Sequence, residues 1–144
     1  MIKEDYVSFE TAKVLKEKGF ENEGVSENGG FYCDYKYDGT DIGIVYESEM
    51  LNKDLARNEY LRPTYQMTLK WLREVHHIEI SITYGFPFIN GKPSYKYFWC
   101  PVKVTDTGLE YPMDGPFVAF AKEMADTYEE AVEAAIRYSL ENLI

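Results

Sequence analysis

The dipeptide Asn90-Gly91 sits between two runs of strand character, and the three together constrain the fold more than any other feature of the chain. Before it, Ile78, Ile80, Ile82 and Tyr84 alternate with Glu79, Ser81 and Thr83, which is the period of a strand with one buried and one polar face. After it, Tyr95 to Val104 is apolar on both faces, with Tyr95, Tyr97 and Trp99 on one and Phe98, Cys100, Val102 and Val104 on the other. Asn-Gly readily takes the two left-handed conformations of a tight hairpin turn, so the runs predict an antiparallel pair whose return strand is central in its sheet. A two-residue turn sets Tyr84 opposite Tyr97 and Ile82 opposite Trp99, with the aromatic stripe in the core. Pro87 and Pro93 beside the turn leave a looser loop and another register open.

Three further segments read as helices by cap and period. Ser8 before Phe9, Ala12 and Leu15 predicts a helix over 9–18, closed by Gly19 with Phe20 folding back on Leu15. Pro63-Thr64 opens a second, in which Tyr65, Leu69, Leu72 and His76 recur at helical spacing. The last helix is the plainest: Thr127 and Glu130 form a capping box, and Tyr128, Val132, Ile136, Leu140 and Leu143 make an apolar stripe. Glu133 and Arg137 in it have the spacing of a favourable ion pair.

Between these lie weaker signals. Residues 22–30 read as a glycine-rich loop, and 31–47 as a hairpin turning at Asp38-Gly39. Residues 48–62 lack a period and read as a long loop with one helical turn at 53–58, while Phe117 to Phe120 is a candidate fifth strand. The expected architecture is α+β: one domain over residues 1–144, with a single antiparallel sheet of four to five strands and three helices mainly on one face.

Charge narrows the partners. Fifteen basic and twenty-five acidic side chains give a net −10, shared equally between the halves 1–72 and 73–144. Without a basic cluster, such a surface repels phosphate backbones and anionic lipid, so neither direct nucleic-acid nor membrane binding is expected. The longest uncharged stretch, Ile80 to Gly91, is too short to span a bilayer. Acids at Glu4 and Asp5, where a signal peptide is apolar, predict a cytoplasmic location, and two cysteines suit a reducing compartment.

No motif fixes a chemistry. His76 and His77 with Glu74 and Glu79 invite a metal reading, but residues at a helix end entering a strand point in different directions, so no metal site is expected. Cys33 and Cys100 sit at apolar strand positions, where an inert small hydrophobe is the usual identity, so no catalytic residue and no cofactor are assigned. The glycine patterns lack the lysine and the strand-loop-helix setting of a phosphate loop. Thirteen tyrosines remain, and tyrosine suits strands and interfaces because its ring packs while its hydroxyl tolerates water. The candidate binding residues are therefore Tyr95, Tyr97 and Trp99, with Tyr35 and Tyr37 as possible additions.

Three blocks carry a resemblance: Val7 to Phe20, Pro63-Thr64-Tyr65-Gln66 running into Leu69 to His76, and Thr127-Tyr128-Glu129-Glu130-Ala131 to Ile144. They resemble small uncharacterised proteins of phages, prophages and mobile elements of gut Bacteroidetes. The blocks cover less than half of the chain, leaving 21–61 and 81–126 outside the likeness. The resemblance implies a mobile-element origin in a bacterial cytoplasm and carries no reaction or site residue. The expectation is a non-enzymatic interaction protein that binds a protein partner or itself, as a homodimer, around Tyr95, Tyr97 or Trp99. The alternatives are a small enzyme and a minor virion or assembly component.

Overall fold

A computed structural model describes residues 5–21, 30–33, 43–46, 51–85, 88–111 and 124–144. The chain divides into two compact units, Met1–Met67 and Thr68–Ile144.

In the first unit, Tyr6 bridges Thr64, flanked by bonds from the Val7 amide to the Pro63 carbonyl and from the Tyr65 amide to the Asp5 carbonyl, each 3.0 Å. Helix α1 (Phe9–Glu17) begins where the Ser8 hydroxyl accepts the Thr11 amide at 3.2 Å. It ends as its sequence predicts: Gly19 takes φ 80°, and the Phe20 amide returns to the Leu15 carbonyl at 2.9 Å. Strands β1 (Gly30–Cys33), β2 (Gly43–Tyr46) and β3 (Glu59–Leu61) form an antiparallel sheet in the order β2-β1-β3. Phe9 of α1 meets the edges of Tyr32 and Tyr60, which face each other across β1 and β3, at 5.7 and 5.6 Å.

Polar side chains tie this unit together. Asn52, in a short 3-10 turn (Asn52–Asp54), is buried and donates to the Phe20 carbonyl at 3.1 Å while accepting the Leu61 amide at 3.2 Å. Glu21 accepts the Asn52 and Lys53 amides at 2.8 and 2.9 Å, so its carboxylate caps that turn. The Lys16 ammonium reaches the carbonyls of Ala56 and Glu59, both at 2.8 Å. Burial lowers its pKa, against the opposing pull of Glu59 and Glu21.

Helix α2 (Tyr65–His76) starts with the Thr64 hydroxyl accepting the Met67 amide at 3.2 Å, and the boundary between the units falls inside it. The second unit is built on a hairpin of β4 (Ile78–Gly85) and β7 (Lys96–Thr105), extended toward its turn by β5 (Phe88–Ile89) and β6 (Lys92–Pro93). One register runs through both pairs: Ile78 faces Lys103, Gly85 faces Lys96, and Ile89 faces Lys92. Asn90 and Gly91 have φ 53° and 73°, the left-handed pair of a two-residue turn, so the tighter register holds despite the neighbouring prolines. Strands β8 (Gly108–Glu110) and β9 (Met124–Ala125) both pair with the far edge of β7, making it central. Helix α3 (Tyr128–Asn142) lies on the face carrying Ile80, Ile82, Tyr97 and Trp99.

The fold is therefore α+β with three α-helices and antiparallel pairing among the described residues, but the single sheet expected from the sequence is not what forms. The free edge of β1 is taken by Glu59–Leu61, a short strand inside the stretch read as a loop, so the first hairpin completes a sheet of its own. Three residues are too few to show a period, and their pairing is set by Asn52 holding the Leu61 amide. The helical turn expected at 53–58 forms instead at Asn52–Asp54. The loop at 22–29, the turn at Asp38-Gly39, Tyr35, Tyr37 and the segment Phe117 to Phe120 lie outside the described residues.

Replacing Asn52 with Ala leaves the Leu61 amide and the Phe20 carbonyl buried without this partner. Equilibrium urea unfolding should show a loss of about 3 kcal/mol.

Candidate functional site

The candidate site grows out of the β4–β7 register. Because Tyr84 faces Tyr97 and Ile82 faces Trp99, aromatic and aliphatic side chains line one face in two adjoining columns. The Trp99 end of this face lies under α3, where Ala131 and Ala135 are small enough to seat the indole and the Tyr138 ring closes on it at 5.6 Å. Trp99 is 4% exposed. It is a core residue.

The helix does not reach the other end. The Thr127 hydroxyl accepts the Glu130 amide at 3.1 Å, and the Glu130 carboxylate accepts the Asp126 amide at 3.1 Å, so α3 starts beside Tyr97. Asp126 also pairs with Lys96, and at the opposite end Lys103 donates to the Leu143 carbonyl at 3.0 Å. These contacts hold α3 over the stretch from Tyr97 to Lys103. Beyond it the aromatic face continues past the end of the helix: Tyr97 lies 4.8 Å from Tyr84 and meets Tyr128 edge-on at 6.0 Å, while Tyr84 stacks on Tyr95 at 5.7 Å with their planes 14° apart. Exposure is 45% at Tyr128, 53% at Tyr84 and 61% at Tyr95.

Four tyrosines thus form one row on the hairpin and the first turn of α3. Each ring is oriented by its neighbour, so little side-chain freedom is left for a partner to remove. Glu129 and Glu130 stand exposed beside Tyr128, giving this end an acidic border, while the Asp126 carboxylate is paired with Lys96.

The other sequence candidates fall elsewhere. His76 is half-buried with its ring 4.4 Å from Trp71, and His77 is exposed at φ 56°, its carbonyl accepting the Val104 amide at 2.8 Å. Glu74 pairs with Lys70 and Glu79 with Arg73 at 3.9 and 3.7 Å, so both carboxylates face helix cations. Among the described residues no three His, Cys, Asp or Glu side chains come together as a metal site would need. Cys33 lies on β1, and Cys100 is a free, buried cysteine whose thiol pKa is pushed up by burial, away from the thiolate a nucleophile needs.

The sequence reading named Tyr95 and Tyr97, which lie in the row, and Trp99, which the structure places in the core instead, and it did not name two members of the row. Tyr84 reads as the last inward residue of its strand, although the Asn-Gly register already sets it beside Tyr97. Tyr128 reads as the first residue of an apolar helix stripe, and only the position of α3 on the sheet turns it outward. No family model, no curated protein and no solved structure matches this chain.

Trp99→Ala should cost about 3–5 kcal/mol and unfold the second unit at moderate denaturant, whereas Tyr95→Ala should change stability by less than about 1 kcal/mol. Cys100 supplies a pH test. Its folded state favours the neutral thiol, so that contribution is complete below the ordinary thiol range and is lost as pH rises from there toward the raised folded value. Stability should therefore decline on the alkaline side, and Cys100→Ala should flatten that limb in melts taken from pH 7 to 10.

Proposed function

We propose that the chain is a non-enzymatic interaction protein that binds a protein partner through the row of Tyr95, Tyr84, Tyr97 and Tyr128. The observation that carries this reading is the exposure of Tyr84, Tyr95 and Tyr128 in one ordered row, continuous with the core at Trp99. Exposed aromatic side chains that are already ordered supply much of the energy of protein interfaces, because they bury large area with little loss of freedom. The acidic border and the net charge of −10 favour a partner with apolar anchors and a basic rim.

The same charge argues against direct binding to duplex DNA. No helix among the described residues is long and apolar enough to cross a membrane. The resemblance to phage and mobile-element proteins supports a role in the cytoplasm of a bacterial host.

Tagged wild-type protein and a Tyr84→Ser/Tyr95→Ser variant, compared in host extract, test the reading. Proteins retained by the wild type should be lost or held at least about 30-fold more weakly by the variant, at nearly unchanged melting temperature. Equal retention by both would remove the tyrosine row as the binding surface. A gel shift with duplex DNA should show no complex at about 150 mM salt.

A further inference from the structure

The aromatic rings of the two units differ in what stands over them. In the first unit, Tyr6, Phe9, Tyr32 and Tyr60 each carry a cation of the chain itself. The Arg62 guanidinium lies 3.9 Å from the centre of the Tyr6 ring and 5.6 Å from that of Tyr32, and the ammonium groups of Lys13 and Lys16 lie 4.7 Å over Phe9 and 5.3 Å over Tyr60. A ring face is the negative part of the aromatic quadrupole, so a cation placed there is held.

The tyrosine row of the second unit has no such cation from within. Among the described residues no lysine or arginine stands over Tyr84, Tyr97 or Tyr128. Lys96 is the closest in the chain, but it alternates with Tyr95 and Tyr97 along the strand, and its ammonium is taken by Asp126. Carboxylates border the rings instead. Glu129 is exposed and has no hydrogen bond or ion pair among the described residues, and Glu130 uses one carboxylate oxygen on the Asp126 amide.

We propose that the row takes arginine side chains from a basic segment of its protein partner, a guanidinium lying flat on a tyrosine while, at the Tyr128 end, its N–H edge donates to Glu129. The inference rests on the row being the binding surface and adds what that surface recognises. Arginine fits better than lysine, because its planar, weakly hydrated head stacks on a ring and keeps its in-plane donors for a carboxylate, whereas an ammonium gives up a tight water shell. The chain's own contacts agree: among the described residues Arg62 on Tyr6 is the closest cation–ring pair. An aliphatic occupant would cover the rings but strip water from Glu129 without replacing it, and an acidic one would meet a net charge of −10.

The probe is a synthetic peptide alternating arginine with serine, compared by calorimetry with the same peptide carrying lysine or uncharged citrulline in place of arginine. The arginine peptide should bind at least about fivefold more tightly than the lysine peptide, and the citrulline peptide should not bind. Tyr84→Leu/Tyr128→Leu, which keeps apolar area but removes the ring faces, should weaken the arginine peptide about tenfold at an unchanged circular dichroism spectrum, and Tyr84→Phe/Tyr128→Phe should retain it. Glu129→Gln should weaken it several-fold and reduce its dependence on salt. Equal binding of the arginine and lysine peptides, or of the arginine peptide by the wild type and the leucine variant, would overturn the inference. So would host proteins that the row retains and the arginine peptide fails to displace, a result that leaves the row standing as a protein-binding surface. Loss of host proteins from neither the serine variant nor the peptide competition would remove the row and the inference together.

Discussion

The left-handed conformations of Asn90 and Gly91 tie β4 and β7 into one register, and the second unit follows from it. A shift of one residue would set Ile80 and Ile82 on the face opposite Trp99. With the turn closed at two residues, the indole meets Ala131 and Ala135, the isoleucines flank it, and the tyrosines line up beyond. One backbone constraint thus sets the core and the tyrosine row.

The first unit depends on a different kind of interaction. Its strands are short, and a three- or four-residue strand has few ladder bonds of its own. Asn52, Glu21 and Lys16 make up for this by satisfying main-chain groups from segments far apart in sequence. The Tyr32 hydroxyl does the same for the Val7 carbonyl at 2.7 Å in a buried setting. Buried polar groups that are fully partnered specify one arrangement, because every alternative leaves a donor or acceptor without its bond.

The tyrosine row is where the core meets solvent along a single strand. Trp99 and Tyr97 on β7 and Tyr95 just before it are equivalent by period, yet they grade from buried to exposed. The gradient comes from the length and placement of α3. Thr127 starts the helix beside Tyr97, Lys103 holds its far end, and fifteen helical residues span about 22 Å, close to the seven strand residues from Tyr97 to Lys103. The hairpin simply extends further than the helix that covers it.

The sequence alone determined the elements whose causes are local. Ser8, Gly19 and Phe20 bound the first helix, Thr127 and Glu130 start the last, and Asn90-Gly91 with its flanking alternation sets the central hairpin, because caps, turns and periods act over a few residues. Tertiary structure decided everything that needed two distant segments to meet. Glu59–Leu61 became a strand only where Asn52 and β1 received it, and so separate sheets formed instead of one. Trp99 became core and Tyr95 surface only where α3 began and ended, and Tyr84 and Tyr128 joined the row by the same placement. Period tells which residues share a face; what covers that face depends on contacts between segments remote in the chain, and no local pattern encodes where such a contact stops.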